Sequence, residues 1–298
     1  MTHLDPLIEG YLEYKKDVNK VAFGTVKDIR CSLRRVTRQM QQLQPDVPLW
    51  KLSFEDYLRY VELEREAGAS PSCINKYLVH ARGLLEYAWR SGRADRNVLT
   101  GFHLKDAEKR TPPRSLSLEE ARALIEACPH GTTEDRRDRT IVLLLYGCGL
   151  RTGELCGLSV QHVSTERHEL TVLKAKGDKP RVVPVPDAVY TELLAYLHER
   201  GGKRGPLFRT RVKRCRLSIK DVGHVVRTAV QRAGLSNDIT PKTLRHSFAT
   251  HLMDRGVDLG VIASLMGHRS PQETGVYLHV LPSRMEHAVT TLDQGDAS

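Results

Sequence analysis

A break two fifths of the way along the chain constrains its folding more than any other feature. Between Leu104 and Ser117 the sequence runs Leu-Lys-Asp-Ala-Glu-Lys-Arg-Thr-Pro-Pro-Arg-Ser-Leu-Ser, rich in charge and without apolar period. Adjacent prolines lack amide donors and fix φ, so neither a helix nor a sheet ladder runs through them. A chain of 298 residues divided there gives two pieces, each of a size that builds its own core. The expected organisation is a helical domain over 1–105, a linker over 106–116, a second domain over 117–292 and a polar tail over 293–298.

Both sides of the break carry helical signals. Ser70 and Pro71 read as a cap followed by a first-turn proline, and Leu84, Leu85 and Ala88 then recur at helical spacing. Earlier, the stretch from Val21 to Gln44 sets apolar residues against Arg30, Arg34, Arg35 and Arg38, most of whose charge falls on one side of a helix. That spacing suits a face tracking DNA phosphates and a merely solvated face equally.

After the break, Ser117 and Glu120 have capping-box spacing, and Leu118, Ala121, Leu124 and Ile125 form an apolar stripe. Residues 169–185 read as a hairpin turning at Gly177-Asp178, with Lys176 and Lys179 at or near its tip. From Asp187 onward the pattern is mainly helical, and no internal repeat is present. The predicted fold class is therefore mainly α with a small antiparallel β-sheet.

Lys and Arg total 46 against 36 Asp and Glu, giving a formal charge of +10 and a pI near 9.4. The excess is present on both sides of the break, so the expected partner is a polyanion such as DNA. Six cysteines, at 31, 73, 128, 148, 156 and 215, form no CxxC pair and no zinc spacing, and most are expected to sit among apolar residues. A reduced, cytoplasmic protein without structural metal is expected. The longest apolar run, Ile141 to Tyr146, is far too short to span a bilayer, and no membrane partner is expected.

Thr240-Pro241-Lys-Thr-Leu-Arg-His begins with a cap and a first-turn proline, and Leu244, Phe248 and Leu252 predict a helix with one buried stripe. Lys242 and Arg245 lie only about 60° apart around that helix, with Lys242 in the first turn, where backbone amides favour anions. Gly267 ends another helix, leaving His268 in a tight turn. Ser270-Pro-Gln-Glu273 then opens a short helix that carries Tyr277 two turns in.

Taken in order, Gly149-Leu-Arg151-Thr-Gly-Glu154-Leu, Lys176-Gly-Asp-Lys179, Lys242-Thr-Leu-Arg245-His246, Leu265-Met-Gly267-His268 and Tyr277 resemble the tyrosine recombinase (phage integrase) family over roughly residues 115–285. The nine-residue step from His268 to Tyr277 is the family's typical one. The resemblance implies that Arg151 and Arg245 clamp the scissile phosphate, supported by Glu154, since planar guanidinium forks suit two oxygens at once. It implies that Lys176 protonates the departing 5′ oxygen, with Lys174 and Lys179 as competitors for that role. His268 would donate to the phosphate or manage the tyrosine proton, and Tyr277 would be the nucleophile. Lys242 stands where the family most often has His, and His246 is expected to be structural.

The resemblance also implies architecture and partners. An all-helical core-binding (SAM-like) domain and an α+β catalytic domain would form a C-shaped clamp around double-stranded DNA bearing inverted-repeat sites. Four copies, or a heterotetramer with a paralogue, would join two sites without cofactor, metal or ATP, at the nucleoid of a bacterial cytoplasm. Since the helical reading begins near Met1, a simple two-domain recombinase of the Xer, integron or transposon type is expected, without a lambda-type arm-binding domain. The segment from Val280 to Leu292 would dock on a neighbour or on its own domain. Two rival readings stand beside this one: a type IB topoisomerase or telomere resolvase, and an inactive DNA-binding protein of the same fold.

Overall fold

The computed structural model describes residues 5–104, 114–173 and 180–267. The chain forms two compact units, divided between Arg110 and Thr111.

Among the described residues the first unit contains four α-helices: α1 (Pro6–Asp17), α2 (Phe23–Leu43), α3 (Phe54–Glu66) and α4 (Pro71–Arg90). Their starts are written locally. Asp5 accepts from the Leu7 amide, Ser53 and Asp56 form a reciprocal capping box, and Ser70 accepts from the Cys73 amide ahead of Pro71. On α2, Val26, Ile29, Leu33, Val36 and Met40 recur every three or four residues and make its buried stripe. They pack into one core with Ile74, Leu78, Ala81 and Leu85 of α4. Helices α1 and α4 approach closely at Gly83, where a Cβ would sit 2.3 Å from the Tyr11 hydroxyl.

The second unit is built around α6 (Thr133–Gly147), in which Ile141 through Leu145 are all buried. A helical stretch apolar on every side belongs at the centre of a core, and here it is the second half of α6. Around it lie α5 (Leu118–Glu126), α8 (Asp187–Arg200), α9 (Ile219–Arg232) and α10 (Pro241–Asp254). The short α7 (Thr152–Gly157) and α11 (Leu259–Met266) complete the α-helices described. The predicted hairpin is present as β2 (Glu169–Val172) and β3 (Arg181–Pro184), with Leu170 opposite Val183 and Val172 opposite Arg181. A third strand, β1 (Val163–Ser164), pairs antiparallel with β2 and was too short to read from sequence. Leu170, Val172 and Val183 point inward, as period-two alternation requires.

Three expectations need correction. The predicted single stripe on α10 is wrong, because Thr243, Leu244, His246, Ser247, Ala249, His251 and Met253 are all buried. Helix α10 is enclosed by α6, α9 and α11 and by the incoming chain at Leu116. That incoming chain is the second correction, since residues 114–116 of the expected linker are built into the second unit. The Leu116 amide donates to Ser247 Oγ at 2.7 Å, and its carbonyl accepts from His251 Nε2 at 2.8 Å. His251 must therefore carry its proton on Nε2, leaving Nδ1 to accept from the Tyr146 hydroxyl at 2.8 Å. Third, the cysteines do not mostly sit in apolar surroundings: Cys31, Cys73 and Cys215 are exposed, although all six are free thiols.

The segment after α8, expected to be helical, is irregular from Gly201 to Ser218, and its first part is organised by one buried side chain. Arg200 donates to the carbonyls of Gly201, Gly202, Arg204, Pro206 and Leu207, folding the loop around its guanidinium. Among the described residues no helix is long and apolar enough to cross a membrane.

Candidate active site

Arg151 is the residue that caps α7, held in extended backbone just after the buried Leu150. Three residues on, Glu154 turns back: its Oε2 accepts from the Arg151 amide at 2.8 Å and its Oε1 from Arg151 Nη1 at 3.2 Å. The capping geometry thus fixes the carboxylate beside the guanidinium. Arg245, one turn into α10, brings its Nη1 to 3.9 Å from Glu154 Oε2.

The arginines share a second kind of partner, the carbonyl end of α11. Arg245 Nη2 donates to the Met266 carbonyl at 2.9 Å, and Arg151 Nη1 donates to those of Met266 and Gly267 at 3.2 and 2.9 Å. The last carbonyls of a helix have no partner within it and carry its negative dipole end, so they attract cations. Gly267 ends α11 in the left-handed region at φ 64°, a conformation in which glycine alone is unstrained. Arg245 Nη1 also donates to the carbonyl of Gly149, itself left-handed at φ 59°.

Sequence reasoning missed one member of this cluster. Arg181, at the start of β3, gives Nη1 to Glu154 Oε1 at 2.6 Å and Nη2 to Glu154 Oε2 at 2.8 Å, while its Nε donates to the Leu265 carbonyl at 3.0 Å. A signal was available: Arg181 shares the inward face of its strand with Val183, and a cation placed there needs a buried partner. Burial pushes the Glu154 carboxyl up, but the hydrogen bonds from Arg181 and the Arg151 amide outweigh it and hold the group at about 2.

The structure thus brings Arg151, Glu154 and Arg245 together and places Lys242, exposed, in the first turn of α10. His246 is buried in the same helix. Lys176, Lys179, His268, Tyr277 and the segment from Val280 to Leu292 lie outside the described residues. In the first unit the arginine series divides. Arg30 pairs with Glu9, and Arg35, though exposed, forms a fork with the fully buried Glu64 at 2.7 to 3.1 Å; Arg34 and Arg38 are exposed as well. Among the described residues no group of three or more His, Cys, Asp or Glu side chains is arranged to hold a metal ion.

Comparison with known proteins gives the chain its family. Residues 114–284 match the phage integrase family, a span that includes Arg151, Lys176, Lys242, Arg245, His268 and Tyr277. Tyrosine recombinase XerA of Pyrococcus furiosus is 36% identical over 237 residues, covering 78% of this chain and 79% of the relative. Tyrosine recombinase XerD of Corynebacterium glutamicum is 37% identical over 226 residues, 73% of each chain. Among solved structures, the Tn1549 transposon integrase in complex with transposon right end DNA shares the fold at TM-score 0.75, with 19% identity over 95% of this chain and 99% of that one. A lambda integrase dimer bound to a core site does so at TM-score 0.73, with 17% identity over 93% and 95%. The chain belongs to the phage integrase family and is a tyrosine recombinase.

Proposed function

We propose that Tyr277 attacks a scissile phosphate held by Arg151 and Arg245, forming a 3′-phosphotyrosyl bond and releasing a 5′ hydroxyl. The observation that carries this reading is the convergence of those two arginines, from separate boxes, on Glu154 and the carbonyl end of α11. A phosphodiester gains negative charge as it passes through a five-coordinate transition state, and donors fixed in advance stabilise that charge without reorganising. Arg151, Arg245, Lys242 and His268 would supply them, and their field would lower the cost of ionising a phenol whose ordinary pKa is about 10.

Lys176 would protonate the departing 5′ oxygen. Attack by the 5′ hydroxyl of another strand reverses the chemistry on a new partner, so the phosphoester is conserved and ATP is not consumed. The exposed Arg34 and Arg38 of the first unit would contact phosphates outside the cleavage site, fixing position on the duplex without reading sequence. Four copies would join two inverted-repeat sites in the cytoplasm.

The test is a nicked suicide duplex carrying an inverted-repeat site recovered by binding selection from the host genome, incubated with the protein in EDTA. A protein–DNA band that survives denaturation is expected, and it should vanish in Tyr277→Phe. No band, or an undiminished one in the variant, would overturn the nucleophile assignment.

A further inference from the structure

We infer that Arg181 is a positioning residue of the cleavage site, acting through Glu154 on Arg151. This rests on the cleavage reading above and adds to it a residue outside the motifs that carry the family resemblance. Glu154 is 10% exposed and needs a cation close at hand. Arg181, itself 11% exposed, takes both carboxylate oxygens in a fork, the geometry in which the two groups satisfy each other most fully. Arg151 meets the same carboxylate through a longer contact of 3.2 Å while its side chain is 37% exposed. Arg181 therefore balances Glu154 from the inner side, and Arg151 is held on the outer side.

Without Arg181, the cations next nearest to Glu154 among the described residues are Arg151 at 3.2 Å and Arg245 at 3.9 Å. The buried carboxylate would draw them inward, away from a phosphate. The third bond, from Arg181 Nε to the Leu265 carbonyl, ties β3 to the end of α11, three residues before His268 in the sequence. One side chain thus registers the strand after the lysine hairpin, the Arg151 box and the approach to His268. Gly267 closes this packing from the other direction, because a Cβ there would meet the Arg181 guanidinium at 2.8 Å.

The test compares covalent adduct formation on the suicide duplex by the full-length wild type, Arg181→Gln, Glu154→Gln and the double variant, with DNA affinity and melting temperature measured alongside. Arg181→Gln should slow adduct formation about 100-fold, the cost of misplacing a reacting group by about an ångström, with DNA affinity little changed. The double variant should cleave faster than either single one, because removing the carboxylate removes the inward pull. Losses that multiply, or a full rate in Arg181→Gln, would overturn the inference.

A second duplex, with a methylphosphonate at the scissile position, separates positioning from damage to the fold. Lacking the phosphate charge, it should shrink the Arg181→Gln penalty, whereas a misfolded site would lose both substrates equally. If Arg181→Gln does not fold, Arg181→Lys takes its place: it keeps the charge but loses the three-point bridge, and an undiminished rate would overturn the inference. A wild type that forms no adduct would refute the cleavage reading itself, whereas failure confined to the variants would refute only the role of Arg181.

Discussion

Arg245 donates from Nη1 to the carbonyl of Gly149 at 2.6 Å, joining the central α10 to the turn that leads into Arg151. That turn exists only because residue 149 has no side chain: its φ is 59°, and a Cβ would lie 2.3 Å from the Phe248 ring. Gly149→Ala should therefore destabilise the protein by roughly 2–4 kcal/mol, combining left-handed strain with overpacking against a stiff ring. Thermal unfolding measures the loss. Adding Phe248→Leu should recover part of the stability, and no recovery would locate the strain in the backbone alone.

Glu154 sets a pH window for stability. Its carboxyl lies at about 2 in the folded protein against an ordinary value of 4.5, so its ionised form is favoured by folding. The contribution is fully present above the ordinary value and is lost as pH falls towards 2. Chemical denaturation of wild type and Glu154→Gln should differ by a constant amount above about pH 5 and converge below it. A gap that widens with acid would contradict the assignment.

Arg34 and Arg35 are neighbours with opposite expected phenotypes. Arg35→Ala leaves Glu64, fully buried, without its fork and should cost roughly 3 kcal/mol, at the low end for a broken buried pair because Arg35 is partly exposed. Arg34→Ala should leave stability within about 0.5 kcal/mol. It should instead weaken DNA binding uniformly across sequences and reduce the salt slope by about one. Melting curves and salt titrations of both variants separate the two roles.

Arg200→Met should loosen the loop that follows α8. Five carbonyls converge on this guanidinium, and each one left buried without a donor costs about 1–3 kcal/mol. Limited proteolysis should cut the variant between residues 201 and 207 at protease levels that spare the wild type.

What the sequence disclosed and what it concealed follows from the range of the interactions. Caps were legible because they act within three residues: Ser117 with Glu120, Ser70 before Pro71, Thr240 before Pro241 and Gly267 at the end of α11 all form as expected. The grouping of Arg151, Glu154 and Arg245 was legible through resemblance, and only the folded chain gives its distances. Arg181 was hidden because its partner is 27 residues away on another element, although its inward place on β3 was a clue. Helix α10 misled because period and apolarity do not record how many neighbours surround a helix; its buried Ser247, Thr243 and His251 are satisfied by partners distant in sequence or by backbone. Arg200 gave no sequence signal, since its acceptors are main-chain carbonyls.

The acceptors at the end of α11 have a consequence for how such a site can vary over time. Three arginines take their bearings from the carbonyls of Leu265, Met266 and Gly267, atoms that no substitution at those positions removes. Apart from the buried Met266, which packs in the cluster with Ala249, Met253 and Ile262, the side chains along this stretch can drift so long as the helix keeps its course. The burden of invariance falls on Gly267, whose conformation ends the helix, so the heredity of the site lies in the route of the main chain more than in the identity of the residues that line it.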